Sequence, residues 1–244
     1  MRDGARTAAH QTGARLHLAS PRQLLTDRVY DAVRQRLVGN EIEPGDKINI
    51  NALAQELDVS PTPVREALAR LEAEGLLMRR SLAGYAAAPQ LSVKEFDELF
   101  EMRLLLEPAA TAKAAERIEE ADLVELAGHL AEMRNTQAHT DRDTRRTFLD
   151  RDALFHDQIA QVCGNSLMRE MLGRLHAHAH LYRLHFRHSL AAETCQEHAW
   201  ILEALREKDA DLAESAMRSH IRRSRARLVA GFGDNDPPGP PGSH

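Results

Sequence analysis

The 244-residue chain has little of several things, and each shortage excludes a class of protein. Two cysteines, Cys163 and Cys195, are too few for a disulfide framework. Aromatic residues make up only 4%, which favours packed helices over a β-sandwich. No apolar run reaches the length needed to span a membrane, and no secretory segment is visible. The expectation is a cytoplasmic protein with reduced thiols that simply pack. Basic charge is not in excess either: the formal net charge is −5, so the chain as a whole carries no electrostatic signature for nucleic acid. No internal repeat stands out.

What is present is apolar content for a core, 43%, rich in alanine and leucine, in a length that suits one large or two ordinary domains. Charge is unevenly spread. Residues 1–90 carry 12 Lys+Arg against 11 Asp+Glu, leaving 20 against 26 for the remainder, so the first part is near neutral and the second acidic. In the first part, arginines gather at Arg65, Arg70, Arg79 and Arg80.

The stretch Asn51–Leu77 organises the first part. Ala52, Leu53 and Leu57 have helical spacing, Asp58-Val59-Ser60 interrupts it, and Ser60-Pro61-Thr62-Pro63 opens a second helix. Ser60 or Thr62 can cap that helix, and proline is tolerated in a first turn because its missing N–H had no helical partner. Val64, Ala67, Leu68 and Leu71 form its buried stripe, leaving Thr62, Arg65 and Arg70 for other faces. Two helices about a tight turn, with arginine early in the second, have the geometry of a helix-turn-helix, whose second helix enters the major groove of DNA. A plain helical hairpin is the alternative.

The flanks favour the first reading. Leu25, Val29, Val33 and Leu37 recur every four residues from Pro21, giving a preceding helix that Gly39-Asn40 ends. Pro44-Gly45-Asp46 is a turn and Lys47–Ile50 a short strand; Asn51 then caps the next helix. After Gly75, Arg79 and Arg80 lie on a strand, a turn leads to Gly84, and a second strand returns: a wing. The run PVREALARLEAEGLL within this setting, from Leu25 to Pro89, closely resembles the GntR family of bacterial transcription regulators. The resemblance implies a winged helix-turn-helix that binds double-stranded DNA. It implies DNA contacts from Asn51, Ser60, Thr62, Arg65, Arg70, Arg79, Arg80 and Gly84. Asn51 can serve as cap or as phosphate contact.

Pro89-Gln90-Leu91 marks a domain boundary, and Ser92-Val93-Lys94-Glu95 is a capping box. From there only helical periodicity is visible, in six segments at about 93–117, 120–137, 142–162, 166–188, 191–207 and 210–229. Pro108 should kink the first. Gly164 and Asn165 close one helix and cap the next. Residues 1–20 read as a disordered arm, and 231–244, with four prolines and four glycines, as a disordered tail. The expected fold is mainly α: a winged helix-turn-helix over 21–89 and an all-α six-helix bundle over 92–230.

Asp152 and His156 stand at i and i+4 and share a helix face; His198 and His220 sit on two further helices. Polar groups on inward faces are costly unless paired, and one carboxylate with three imidazoles can satisfy each other through a divalent metal. Ordinary surface or hydrogen-bonded histidines are the alternative, and His176 with His180 is a rival pair one turn apart. The segments 148–168, 197–205 and 209–221 resemble the FCD ligand-binding domain that follows the helix-turn-helix in the FadR subfamily, in its shorter six-helix branch. That resemblance implies Asp152, His156, His198 and His220 as metal ligands, with Zn the first expectation and Ni, Mn, Fe or Co also suited. It further implies that Arg103, in the run EMRLLLE, pairs with a carboxylate effector; an ion pair with Glu101 or Glu107 is the alternative. His176 or His180 would line the effector cavity.

The sequence thus predicts a homodimeric regulator, a repressor rather than an activator. It would read an inverted-repeat operator and respond to a small carboxylate-bearing metabolite, with no role at a membrane and with association to the nucleoid when on DNA. The competing class is a metal-dependent enzyme using the aspartate and three histidines to activate water; a purely structural metal site is a third.

Overall fold

The computed structural model describes residues 21–38, 41–80, 84–136, 142–175 and 191–229. The expected arm, the tail and the histidine-rich run from 176 to 190 lie outside these residues.

The first half is a three-helix unit with a small sheet. Helix α1 (Pro21–Val38) packs on α3 (Pro61–Ala73), and α2 (Ile50–Glu56) crosses α3 after a turn at Asp58, whose φ is +52°. The stripe expected of α3 is buried as Val64, Ala67, Leu68 and Leu71, facing Val29, Val33 and Leu37 of α1 in one core. Gly75, at φ +73°, turns the chain out of α3, a conformation that costs other residues strain. Strands β1 (Lys47–Ile48), β2 (Leu77–Arg80) and β3 (Gly84–Ala87) form an antiparallel sheet in the order β1-β3-β2. Its register pairs Arg79 with Tyr85 and Arg80 with Gly84, which is the expected wing.

One cap differs from expectation. Asn49, not Asn51, is the N-cap of α2: its Oδ1 accepts the backbone N–H groups of Asn51 and Ala52 at 3.0 and 3.1 Å. β1 ends at Ile48, two residues earlier than the strand expected from sequence, so the extended residue available to cap is Asn49, and Asn51 falls in the first helical turn with its side chain exposed.

The second half contains, among the described residues, α4 (Val93–Ala115), α5 (Glu120–Asn135), α6 (Arg142–Val162), α7 (Ser166–Arg174), α8 (Ala191–Arg206) and α9 (Ala210–Val229). The capping box forms as expected, with Ser92 Oγ accepting the Glu95 N–H and Glu95 accepting the Ser92 N–H. α4 runs through Pro108 as one helix. Gly164, at φ +71°, ends α6, and Asn165 caps α7 by accepting the Met168 N–H at 3.1 Å. α4 packs on α9, α5 on α6 and α8, and α8 on α9. Their apolar faces make a second core around Phe96, Phe100, Phe155 and Ile201, separate from the first.

Candidate functional site

Two groups of side chains stand out, one on each half. On the winged-helix half, Arg65 projects from the N-terminal part of α3 into solvent. With Lys47, Asn49, Asn51 and Gly84 it lines an open cleft of about 390 Å³ between α3, the start of α2 and the wing. Thr62 and Ser60 are exposed at the same end of α3; Ser60 occupies the N-cap position without bonding its side chain to the helix. Arg79 and Arg80 are exposed along β2, Arg79 with its guanidinium 5.8 Å from the Tyr85 ring centroid.

Arg70 does not join them. Its Nη1 donates to Asp27 of α1 at 2.6 Å, and its guanidinium lies 4.2 Å from the centroid of Tyr30. It sits at the C-terminal end of α3 and ties that helix to α1.

In the second half the three histidines singled out from sequence converge. His156 (α6), His198 (α8) and His220 (α9) are all buried, and each offers a ring nitrogen within 4.8 Å of the other two. Ring centroids are 4.7 to 5.2 Å apart. Phe155 stacks flat on His198 at 4.4 Å and closes one side. Asp152, one turn before His156, approaches from α6 and places Oδ1 3.4 Å from His198 Nε2. Burial pushes the His220 imidazole below its ordinary pKa, although the carboxylate beside it pulls the other way. The ring is thereby kept neutral, the form that carries a lone pair. Three imidazoles with an adjacent carboxylate, out of water, are a donor set that fits a divalent transition metal.

Two buried glutamates hold this centre from behind. Glu107 accepts from Arg103 Nε at 2.5 Å and Nη2 at 3.3 Å, and its Oε2 lies 2.7 Å from His156 Nδ1. Burial alone would raise the Glu107 carboxyl, but the Arg103 guanidinium and then His156 outweigh it and hold the group well below the carboxylate range. Arg103 is therefore engaged in the ion pair with Glu107, one turn along α4, which was the alternative to its expected role; its Nη1 is buried and makes no hydrogen bond among the described residues. On the opposite side, Glu197 Oε2 lies 2.9 Å from His220 Nδ1 and accepts from Arg227.

Sequence reasoning did not single out Glu197. The available signal was its place beside His198 together with the seven-residue spacing of His220 and Arg227, two turns on one face of α9. A cavity of about 80 Å³ adjoins the centre, lined by Glu107, His156 and parts of α6 and α7. That is well below the roughly 300–1,000 Å³ of an ordinary ligand pocket. This cavity alone does not hold a metabolite, and His176 and His180, expected to line an effector cavity, fall outside the described residues.

Comparison with known proteins places both halves. Residues 25–86 match the model of "Bacterial regulatory proteins, gntR family", and residues 98–223 match that of the FCD domain. The chain is 27% identical over 194 residues to the HTH-type transcriptional regulator YdhC of Bacillus subtilis, covering 79% of this chain and 85% of that protein. It is 26% identical over 228 residues to the galactonate operon transcriptional repressor of Escherichia coli, covering 83% and 96%. Among solved structures, Escherichia coli McbR/YncC superposes with a TM-score of 0.68 at 25% identity, over 85% of this chain and 98% of that one.

Proposed function

Because the chain belongs to the gntR family of bacterial regulatory proteins and carries its FCD domain, we propose that it is a metabolite-responsive repressor acting as a homodimer on an inverted-repeat operator. That it is a DNA-binding transcription regulator and not an enzyme follows from the family; the enzyme alternative falls with it. No described helix is long and apolar enough to cross a membrane. In the proposed division of labour, residues 21–89 bind DNA, and 92–230 bind the effector and pair the subunits.

One observation carries the effector reading: three imidazoles from three helices meet in the buried centre of the FCD half. His156, His198 and His220, with Asp152 beside them, would hold a divalent ion, Zn first, which would supply open coordination positions for the carboxylate of a small organic acid. Arg103 and Glu107 border the same centre. Arg103 Nη1 is the donor still available to such an anion, so pairing with Glu107 and contact with an effector are compatible. On the DNA side, Arg65 would read a base edge while Arg79 and Arg80 meet phosphate or the minor groove. Asn51, Ser60, Thr62 and Gly84 would complete the contact surface, and Arg70 would support it from behind.

Effector binding that favours one dimer geometry must weaken DNA binding by the factor by which DNA weakens effector binding. The test is to recover the DNA the protein retains from its own genome, then titrate small carboxylic acids into the complex. Release of DNA without consumption of the acid supports the reading. No release by any carboxylate, with or without added zinc, refutes the effector half of it.

A further inference from the structure

Glu197 and Arg227 have no part in the reading above, yet they touch it. Glu197 lies on α8 immediately before His198, so its side chain leaves the helix about 100° away and reaches across to α9. There it meets two residues on one face, His220 and Arg227. Its Oε2 is 2.9 Å from His220 Nδ1, and both its oxygens accept from Arg227, at 2.7 and 2.8 Å. Thr194 Oγ1, on the preceding turn of α8, lies 3.4 Å from Arg227 Nη2. Glu197 is 4% exposed and His220 3%, so none of this is an incidental surface pair.

We propose that Glu197 is a positioning residue for the histidine centre: it fixes His220 as the Nδ1–H tautomer and so leaves Nε2 as the nitrogen that can ligate. The inference rests on the metal reading given under Proposed function. Its chemistry is simple. A carboxylate gripped on both oxygens by a guanidinium is an acceptor only, so the nitrogen facing it must carry the hydrogen. A neutral imidazole has one N–H and one lone pair, and spending the N–H on Glu197 puts the lone pair on the other nitrogen. The same bond fixes the ring's rotation about its side-chain torsions, because the acceptor is itself anchored to α9 by Arg227. Burial opposes the charge on Glu197, and the doubled bond from Arg227 compensates it, so the carboxylate remains an acceptor. Carboxylates that orient ligating histidines in this way change metal affinity without touching the metal.

A purely structural alternative is that Glu197 and Arg227 only staple α8 to α9. The experiment separates the two. The full chain is labelled with ¹⁵N-histidine, stripped of metal, and held near pH ~8, above the imidazole range. Long-range ¹H–¹⁵N spectra then report which nitrogen of His220 carries hydrogen, with His220→Gln identifying its signals. Wild-type protein should show Nδ1–H. Glu197→Gln, nearly the same shape but able to donate as well as accept, should lose that single tautomer. Zinc affinity, measured against a chromophoric chelator, should fall by about 10- to 100-fold, while the metal-free protein stays helical by circular dichroism. Should Glu197→Gln fail to fold, Arg227→Lys loosens the same carboxylate, and a several-fold loss in zinc affinity is expected from it.

An Nε2–H tautomer in wild type overturns the proposal, as does a Glu197→Gln variant with unchanged tautomer and zinc affinity within twofold. A variant that melts earlier but binds zinc as before is the structural staple, and equally overturns it. If wild-type protein takes up no zinc at all, the metal reading fails, while the tautomer spectra still decide for or against Glu197.

Discussion

Arg34 of α1 donates to Asp150 of α6 at 2.5 Å, and this ion pair joins the winged-helix half to the FCD half. Asp150 is also 3.6 Å from Arg146, one turn earlier. It lies two residues before Asp152 on the same helix, so the two carboxylates point to nearly opposite sides of α6. One turn of α6 thus faces the DNA-binding half with Asp150 and the histidine centre with Asp152. A shift of α6 on ligand binding would be felt at Arg34.

Asp150→Asn should therefore weaken communication more than stability. The pair is partly exposed, and such pairs contribute at most about 1 kcal/mol. The ratio of DNA affinities between zinc-loaded and chelator-treated protein should shrink toward one, with zinc content unchanged. An unaltered ratio in the variant removes the pair from the coupling path.

Arg65→Ala should abolish specific operator binding while the protein stays folded and keeps its oligomeric state, because the side chain is exposed. The loss expected of a base-reading arginine is about 1–3 kcal/mol or more. Electrophoretic mobility shift with the recovered operator measures it, and unchanged affinity would remove α3 as the reader.

Replacing Arg79 and Arg80 together should act differently. As phosphate contacts they should weaken specific and non-specific DNA alike and lower the salt slope of binding by up to about two. A loss confined to the specific site would mean that the wing reads bases.

Purified protein should contain about one divalent metal per subunit. Chelation should lower its melting temperature, since binding to the folded state alone stabilises by mass action. His198→Ala or His220→Ala should reproduce that loss, whereas His185→Ala, in the histidine-rich run outside the described residues, should not. The pH dependence has a definite sign. His220 is depressed below 6.5 by burial, so the neutral ring's contribution is complete above that value and is lost as pH falls through the imidazole range. Elemental analysis showing no metal, and no uptake on adding Zn, Ni or Mn, refutes the site.

Arg103→Ala should destabilise the fold strongly, by about 3–5 kcal/mol, because it leaves the buried Glu107 carboxylate without its guanidinium. Glu107→Gln in the same chain should recover part of the loss by removing the stranded charge. Chemical denaturation of the single and double variants checks both. Glu107 is held below 4.5, so its pairing stabilises the protein above that value and is lost as the solution is acidified.

Local signals determined much of this protein. The stripe Val64, Ala67, Leu68 and Leu71, the capping box at Ser92 and Glu95, and the break at Gly164 and Asn165 each need only neighbouring residues, and each appears in the structure. The three histidines were legible as candidates because His156 stands one turn from Asp152 on a shared helix face and all three match a family pattern. What the sequence did not determine are contacts between residues far apart in it. Asn49 rather than Asn51 caps α2, because β1 pairs with β3 nearly forty residues away and ends where that pairing ends. Arg70 lies on Tyr30 and Asp27 because α1 packs on α3. Glu197 reads from sequence as one more charge on a helix, and only the packing of α8 against α9 buries it between His220 and Arg227. Helical periodicity says which way a side chain leaves its own helix; which partner waits there is decided by how the helices dock, and in a buried centre that partner sets the charge and the tautomer.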